Sequence, residues 1–302
     1  MAKPQFLDEK VSSQHGELIS ANDYHRGVTW GPLLSSHQFL PFYQSPSAFR
    51  FPLPRQPISD ALRLGQLFAH VIECRCTDRD PYDGIFEMPI WGFKSAVDKA
   101  RWVSMQRNLG IETPRTSKKE ILDIVAWSVE QRELIACTND ELEYANDQAM
   151  SVLLNPHASD LLSGAIHERS YRANGCKARP DVLSSNLLVD FKTTAKPLNR
   201  WKNQAYELGY PEQLAWYDNV LQACGRIVDQ WLWIVISSKP YRLDSEGRKV
   251  HEVTVFHAED SLRQRALDKL DDALLRYYHC CQSNDWPDAD REIETLYNRD
   301  YY

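Results

Sequence analysis

The chain has 302 residues, of which 43% are apolar and 25% charged, a composition typical of globular proteins and unlike that of disordered chains. No run approaches the roughly 18 apolar residues of a membrane span, and the N-terminus lacks the layout of a signal peptide, so we expect a cytoplasmic protein without a membrane partner. The 35 Lys and Arg residues against 42 Asp and Glu residues give a formal net charge of −7, which alone argues against a nucleic-acid partner.

The first half of the chain favours helices. Residues 1–18 lack a clear period and are predicted to form a flexible N-terminal arm, and residues 77–90 are predicted to be a loop. Cap and capping-box patterns predict helices near residues 35–40, from Ser59, from Ser117, from Thr138 and over Ala158–Leu162. Residues 19–163 are therefore expected to be the helical N-terminal part of one domain.

From residue 164 onwards the apolar period becomes that of strands. A three-stranded meander is predicted over His167–Ala173, Ala178–Val182 and Leu187–Phe191. The later elements are predicted as a helix, two strands and a long helix, over Glu212–Cys224, Gln230–Ser237, His251–Phe256 and Asp260–Cys281. We expect a single α/β domain over 19–290, with its core in 164–290 and an acidic tail over 291–302.

Acidic and basic side chains concentrate in the predicted meander. Residues two apart in a strand share a face, so Asp190 and Lys192 should point the same way, with Phe191 toward the core. The turn before this strand folds Asp181 back beside Asp190, and Glu168 can join them from the preceding strand. Two or three carboxylates and one ammonium should thus converge at one edge of the sheet.

Carboxylate oxygens, completed by water and phosphate oxygens, suit Mg²⁺, which rarely has an all-protein cage. Such an ion would polarise a scissile phosphate and activate a water molecule. Lys192 would position or deprotonate that water, or neutralise charge that develops on the phosphate. An Asp-x-Lys pair alone is common among solvated hairpin charges, but Pro180-Asp181 nine residues before Asp190-x-Lys192 is a more specific pattern.

This pattern is the PD-(D/E)xK nuclease signature, and the resemblance extends along the chain. Gln213 and Tyr217 resemble the Gln-xxx-Tyr helix of the exonuclease branch of that superfamily. The chain as a whole resembles the RecE-type exodeoxyribonuclease VIII family, relatives of phage lambda exonuclease. The resemblance covers roughly residues 18–290, and its specific motifs lie in 164–217.

The resemblance implies the PD-(D/E)xK fold, a central mixed β-sheet flanked by helices, in a bacterial or phage-encoded protein. It implies ATP-independent digestion of linear double-stranded DNA from its 5′ ends with Mg²⁺, for which Mn²⁺ should substitute. The 3′ overhangs would serve a single-strand annealing recombinase, and the enzyme would be a ring-shaped trimer or tetramer. Asp181, Asp190 and Glu168 would be the metal ligands and Lys192 the catalytic lysine, while Gln213 and Tyr217 would support the site or contact the substrate.

Several assignments stay open on the sequence alone. His70 lies one position later than the family's histidine, so it is either an auxiliary metal ligand or an ordinary histidine. Glu207 and Glu212 compete with Glu168 as the third acid. The function could also be that of a structure-specific or restriction-like endonuclease, or of a non-catalytic DNA-end-binding module of the same fold.

The net charge is an average over unlike parts of the chain. Residues 168–202 contain eight Lys and Arg residues and three acids, a net charge of +5, so the remainder carries −12. We therefore expect DNA to bind near this window, through Arg179, Lys196, Arg200, Trp201 and Lys202. A second candidate phosphate track consists of seven basic residues between 94 and 119: Lys94, Lys99, Arg101, Arg107, Arg115, Lys118 and Lys119. A solvated surface is the usual explanation for such a run.

Overall fold

The computed structural model describes residues 15–19, 23–24, 33–52, 59–89, 91–132 and 134–288. Most of the predicted arm and the whole predicted tail, 291–302, lie outside these ranges. The N-terminal part is helical, as predicted, with α1 Ser36–Gln44, α2 Pro46–Arg50, α3 Asp60–Cys76, α4 Ala96–Asn108, α5 Lys118–Gln131, α6 Asn139–Leu153 and α7 Pro156–Leu162. No helix within the described ranges is long and apolar enough to cross a membrane.

The helix caps follow the sequence patterns. Ser59 Oγ accepts the N–H of Leu62 at the start of α3. At the start of α6, Thr138 and Glu141 form a complete capping box, in which the side chain of each residue accepts the backbone N–H of the other. These side chains satisfy backbone N–H groups that a helix cannot pair internally, so the pattern fixes where each helix begins.

A mixed five-stranded sheet forms the centre of the second half. The strands of the described residues are β1 Ile85–Glu87, β2 Ile135–Cys137, β3 Ile166–His167, β4 Tyr171–Ala173, β5 Cys176–Ala178, β6 Val182–Ser184, β7 Leu187–Thr194, β8 Gln230–Leu243 and β9 Lys249–His257. The central sheet has the order β3-β6-β7-β8-β9, and only its β7–β8 pair is parallel. The helices of this half are α8 Trp201–Glu207, α9 Tyr210–Ala223 and α10 Asp260–Ser283.

Helices cover both faces of the sheet. One core lies between the sheet and α1, α8, α9 and α10, and it contains Trp231 and Trp233 of β8. The other core lies between the sheet and α3, α6 and α7, and it contains Leu232 and Ile234 of the same strand. Because successive side chains of a strand point to opposite faces, a strand buried on both faces reads as a continuous apolar run, which explains the sequence of β8.

The predicted meander is wrong in its first two strands. The strand predicted over His167–Ala173 breaks after His167, because Glu168 has a left-handed backbone with φ 49°. The strand predicted over Ala178–Val182 breaks at Pro180, which has no N–H to donate to a ladder. The Asn174-Gly175 turn is confirmed, but the hairpin that it closes, β4–β5, is a separate two-stranded sheet.

The predicted loop over 77–90 contains a strand. Within it, β1 pairs in parallel with β2, so the segment between them begins and ends at the same two-stranded sheet. The helices α4 and α5 of this segment enclose a small core of their own around Trp102 and Val125. Three-residue strands carry too little periodicity to be recognised in a sequence.

Buried His251 of β9 should make stability depend on pH. Its side chain is 2% exposed, its Nδ1 lies 2.8 Å from the Ser237 carbonyl oxygen, and burial lowers its pKa below the ordinary value. The unfolded chain therefore binds the proton more readily, so this residue's contribution is present above about pH 6.5 and is lost as the pH falls below it.

We predict that His251→Asn, which keeps a donor near the Nδ1 position, flattens the decline in unfolding free energy between pH 7 and pH 5. The change should approach but not exceed about 1.4 kcal/mol per pH unit. Urea unfolding at several pH values measures it. Equal slopes in the two proteins would show that His251 is not the group responsible.

Candidate active site

Strand β7 places Asp190 and Lys192 on one face, as the strand period predicts. Phe191 points to the opposite core, where its ring meets Phe68 edge-on at 5.6 Å. Asp190 is 1% exposed, and its Oδ2 lies 2.5 Å from Lys192 Nζ. The strand alternation therefore produces a buried carboxylate paired directly with an ammonium group.

Asp181 lies beside this pair, as predicted, but it is the residue before β6 and does not end a strand; the β6–β7 hairpin brings it back along β7. Its Oδ2 accepts the backbone N–H of Phe191 at 2.7 Å, which ties it to the middle of β7. Burial, followed by the negative charges of Asp190 and Glu168, raises the pKa of Asp181 well above its ordinary value. The three acids are thus close enough to destabilise one another's charge.

Glu168 reaches the site from the irregular segment after β3. Its N–H donates to the Asp181 carbonyl at 3.1 Å, and its Oε2 accepts from Arg179 Nε at 2.5 Å. Burial raises the pKa of Glu168 even though Arg179 opposes this shift. A left-handed backbone costs a non-glycine residue roughly 1–3 kcal/mol and is found preferentially where function requires it.

The alternative third acids point elsewhere. Glu207 pairs with Lys196 at 3.1 Å, and Glu212 pairs with Lys269 at 2.5 Å. Of the three sequence candidates, only Glu168 interacts with Asp181 and Asp190.

Helix α9 presents Gln213 and Tyr217 to Asp190. Gln213 Nε2 donates to the Tyr217 hydroxyl at 2.9 Å and lies 3.4 Å from Asp190 Oδ1. Burial raises the pKa of Tyr217 well above its ordinary range, so the phenol stays protonated. The i, i+4 spacing therefore brings these two side chains to the site together, as predicted.

Two predicted DNA contacts are wrong. Trp201 is 2% exposed and lies in the core against Trp233 and Phe256, because α8 packs against the sheet. Arg179 is 14% exposed in its side chain and is occupied by Glu168 and by the Ile19 carbonyl. Neither side chain is presented to a ligand at the surface.

Fewer of the basic side chains in residues 168–202 are available to bind DNA than the net charge of this window suggests. Lys192 pairs with Asp190, Arg172 lies 3.7 Å from Glu17, and Lys177 is buried with its Nζ donating to the Tyr24 carbonyl. Glu17 of the predicted arm also exchanges backbone bonds with Ser170. The exposed members of the predicted DNA-binding set are Lys196, Arg200 and Lys202, whose role stays a prediction.

The contacts of His70 do not support a role as metal ligand. Its Nε2 lies 3.3 Å from the Pro81 carbonyl and 3.7 Å from Cys74 Sγ. Within the described ranges, none of its polar contacts joins it to Asp181 or Asp190.

Two residues that were not predicted from the sequence, Tyr210 and Glu73, also lie near the site. The Tyr210 ring lies 4.6 Å from Lys192 Nζ, and Glu73 of α3 adds to the negative charge that Glu168 experiences. Tyr210 stands three residues before Gln213, on the same side of a helix, so helical spacing could have identified it. Glu73 lies three residues after His70 in the same helix, but only the packing of α3 brings it near Glu168.

Asp181, Asp190 and Glu168 fit a hard cation in their chemistry. They supply only carboxylate oxygens, the ligands that Mg²⁺ prefers, and their mutual repulsion is relieved by positive charge. Within the described residues, however, no three His, Cys, Asp or Glu side chains are already arranged to hold a metal ion. Glu168 and Asp190 are instead paired with Arg179 and Lys192, so a cation would compete with those side chains.

Comparison with known proteins supports the fold. No protein-family profile and no curated protein matches the sequence. The chain is similar to the crystal structure of a candidate exonuclease from Eubacterium rectale, with a TM-score of 0.51 and 12% identity over 94% of this chain and 97% of that one. A phage-related exonuclease from Haemophilus somnus gives a TM-score of 0.29 and 13% identity over 69% of this chain and 94% of that one. At 12% identity the first likeness shows a shared mixed α/β fold, and the second is too distant to add to it.

We predict that Arg179→Met lowers the unfolding free energy by about 2–3 kcal/mol, because it leaves the Glu168 carboxylate without its cation. This loss is smaller than the ~3–5 kcal/mol expected when one partner of a fully buried ion pair is removed, because both side chains keep some solvent contact. Adding Glu168→Gln should recover part of the loss, and urea unfolding of the four proteins measures the coupling. Additive losses would mean that the pair does not hold Glu168.

Proposed function

We propose that the protein is a metal-dependent deoxyribonuclease that digests linear duplex DNA from its 5′ ends. The observation that carries the proposal is the buried Asp190–Lys192 pair on β7, flanked by Asp181 and by Gln213 and Tyr217 of α9. The sequence resemblance to RecE-type exonucleases and the fold shared with the Eubacterium rectale protein support the same reading.

The protein's own residues have separate roles in this proposal. Asp190 and Asp181 would hold Mg²⁺, with Glu168 as a third acid, and Mn²⁺ should substitute. When bound, the metal would polarise the scissile phosphate and make a water molecule more acidic. Gln213 would orient Asp190. Because the Tyr217 hydroxyl accepts a hydrogen bond from Gln213, its own proton would remain available for donation.

Lys192 would act as a positive charge. Burial favours its neutral amine, but the carboxylates of Asp190 and Asp181 outweigh burial and raise the pKa of Lys192 above its ordinary value. A lysine in this state stabilises negative charge that develops on the phosphate, and it is a poor base. Of the roles that the sequence leaves open for Lys192, charge neutralisation is therefore the one that we propose.

The proposed biological setting follows the resemblance. The products would be 3′ single-stranded overhangs that a single-strand annealing recombinase uses. The active form would be a ring-shaped trimer or tetramer around the duplex.

We predict that Lys192→Ala lowers Mg²⁺-dependent nucleotide release from linear duplex DNA by about 10²- to 10³-fold or more, since a charge aimed at the transition state is lost. Lys249→Ala removes an exposed lysine at the start of β9 and should leave the rate unchanged. Release of acid-soluble nucleotides over time measures both. Equal rates for wild type and Lys192→Ala would remove Lys192 from the reaction.

Labelled substrates separate the candidate activities. We expect a 5′ label to be released early, a 3′ label to be retained until late, and covalently closed circles to stay intact. Cutting of closed circles would instead favour the endonuclease. Binding of DNA ends without release of either label, in Mg²⁺ or Mn²⁺, would favour the non-catalytic module.

A further inference from the structure

Lys192 has two close partners. The Asp190 carboxylate lies 2.5 Å from its Nζ, and the Tyr210 ring centroid lies 4.6 Å from the same atom. The second distance is well within the roughly 6 Å range in which the negative face of an aromatic ring attracts a cation. The ammonium group is therefore placed by a carboxylate and a ring together.

The Tyr210 ring is itself fixed by neighbours. It stacks on Trp201 with centroids 6.0 Å apart, and Trp201 in turn packs against Phe256 of β9 at 4.6 Å. Trp201, which the sequence analysis assigned to DNA, thus supports the site from within the core.

The backbone just before Tyr210 has a conformation that favours glycine. Gly209 has φ 68°, in the left-handed region, and a Cβ there would lie 2.9 Å from Leu40 Cδ2 of α1. A larger residue would be strained in this backbone conformation and would have to displace the end of the Leu40 side chain, so glycine suits the position before Tyr210, the first residue of α9.

We propose that Tyr210 is a positioning residue that holds the Lys192 ammonium group at the reacting phosphate. An aromatic face attracts the cation without taking a proton from it and without supplying a hydrogen-bond acceptor oxygen, so the N–H donors that Asp190 does not occupy remain available to a phosphate. A second carboxylate in the same place would add to the repulsion among Asp181, Asp190 and Glu168. Burial raises the pKa of Tyr210, which keeps the phenol neutral in this role.

The inference rests on the proposed nuclease activity, and the experiment compares three variants. Tyr210→Phe keeps the ring, Tyr210→Leu removes it, and Phe49→Leu removes an aromatic ring elsewhere in the same core. Phe49 of α2 is the matched packing control, because its ring packs against Phe39, Phe42 and Tyr277 and, in the described structure, makes no ring contact with Trp201 or Tyr210.

We expect Tyr210→Leu to lower kcat on linear duplex DNA at least tenfold with KM for DNA ends within about threefold of wild type. Tyr210→Phe should stay within about twofold of wild type in kcat. Phe49→Leu should lower the melting temperature while keeping kcat. Wild-type kcat in Tyr210→Leu, or an equal loss of kcat in Phe49→Leu, would overturn the inference.

A spectroscopic readout separates this inference from the proposed function. Protons on the Lys192 ε-methylene, next to the ring, should be shifted upfield by its ring current in wild type and Tyr210→Phe, and should return to ordinary values in Tyr210→Leu. Assignment by Lys192→Arg identifies the signal. An unshifted signal in wild type overturns the inference, whereas a shifted signal in a protein that digests no DNA overturns only the proposed function.

Discussion

The charge balance around Asp190 is the constraint on which the rest of the site depends. Burial raises the pKa of both Asp181 and Glu168, and the negative charge of the neighbouring Asp190 adds to both shifts. Lys192 and Arg179 supply the opposing charge. A divalent cation would relieve the repulsion between these buried carboxylates. Closely spaced carboxylates of this kind are what the proposed metal-dependent hydrolysis requires.

The three-layer architecture holds this costly arrangement in place. Strand β7 is buried on both faces, so it can present Asp190 to one layer and Phe191 to the other without freedom to shift register. Helix α9, which carries Gln213 and Tyr217, is anchored through Asp218, a fully buried carboxylate. Asp218 accepts from Trp231 Nε1 at 3.0 Å and from Arg263 of α10 at 2.9 Å. The elements that bear the site are therefore fixed by contacts outside it.

Local periodicity explains what the sequence could predict. The period of two along β7 places Asp190 with Lys192, and the helical period places Gln213 with Tyr217, so each pair follows from spacing alone. The break at Pro180 could have been predicted, because proline cannot donate to a strand ladder. The break after His167 lies where Ser170 pairs with the distant Glu17, and no local pattern indicates it. The net charge of residues 168–202 also overstated the basic surface that is available to DNA. Arg179 and Lys177 count as cations in the sequence, but in the fold they are paired with Glu168 and with the Tyr24 carbonyl.

Calorimetric titration of Mg²⁺ into the folded protein tests the central claim most directly, because the claim concerns three carboxylates that need a cation. Asp181→Asn keeps an acceptor for the Phe191 N–H and removes one charge, and Asp271→Asn removes an exposed charge on α10 as the control. We predict saturable Mg²⁺ binding in wild type and in Asp271→Asn, and its loss in Asp181→Asn. Equal binding by all three proteins, or no saturable binding by wild type, would contradict the account.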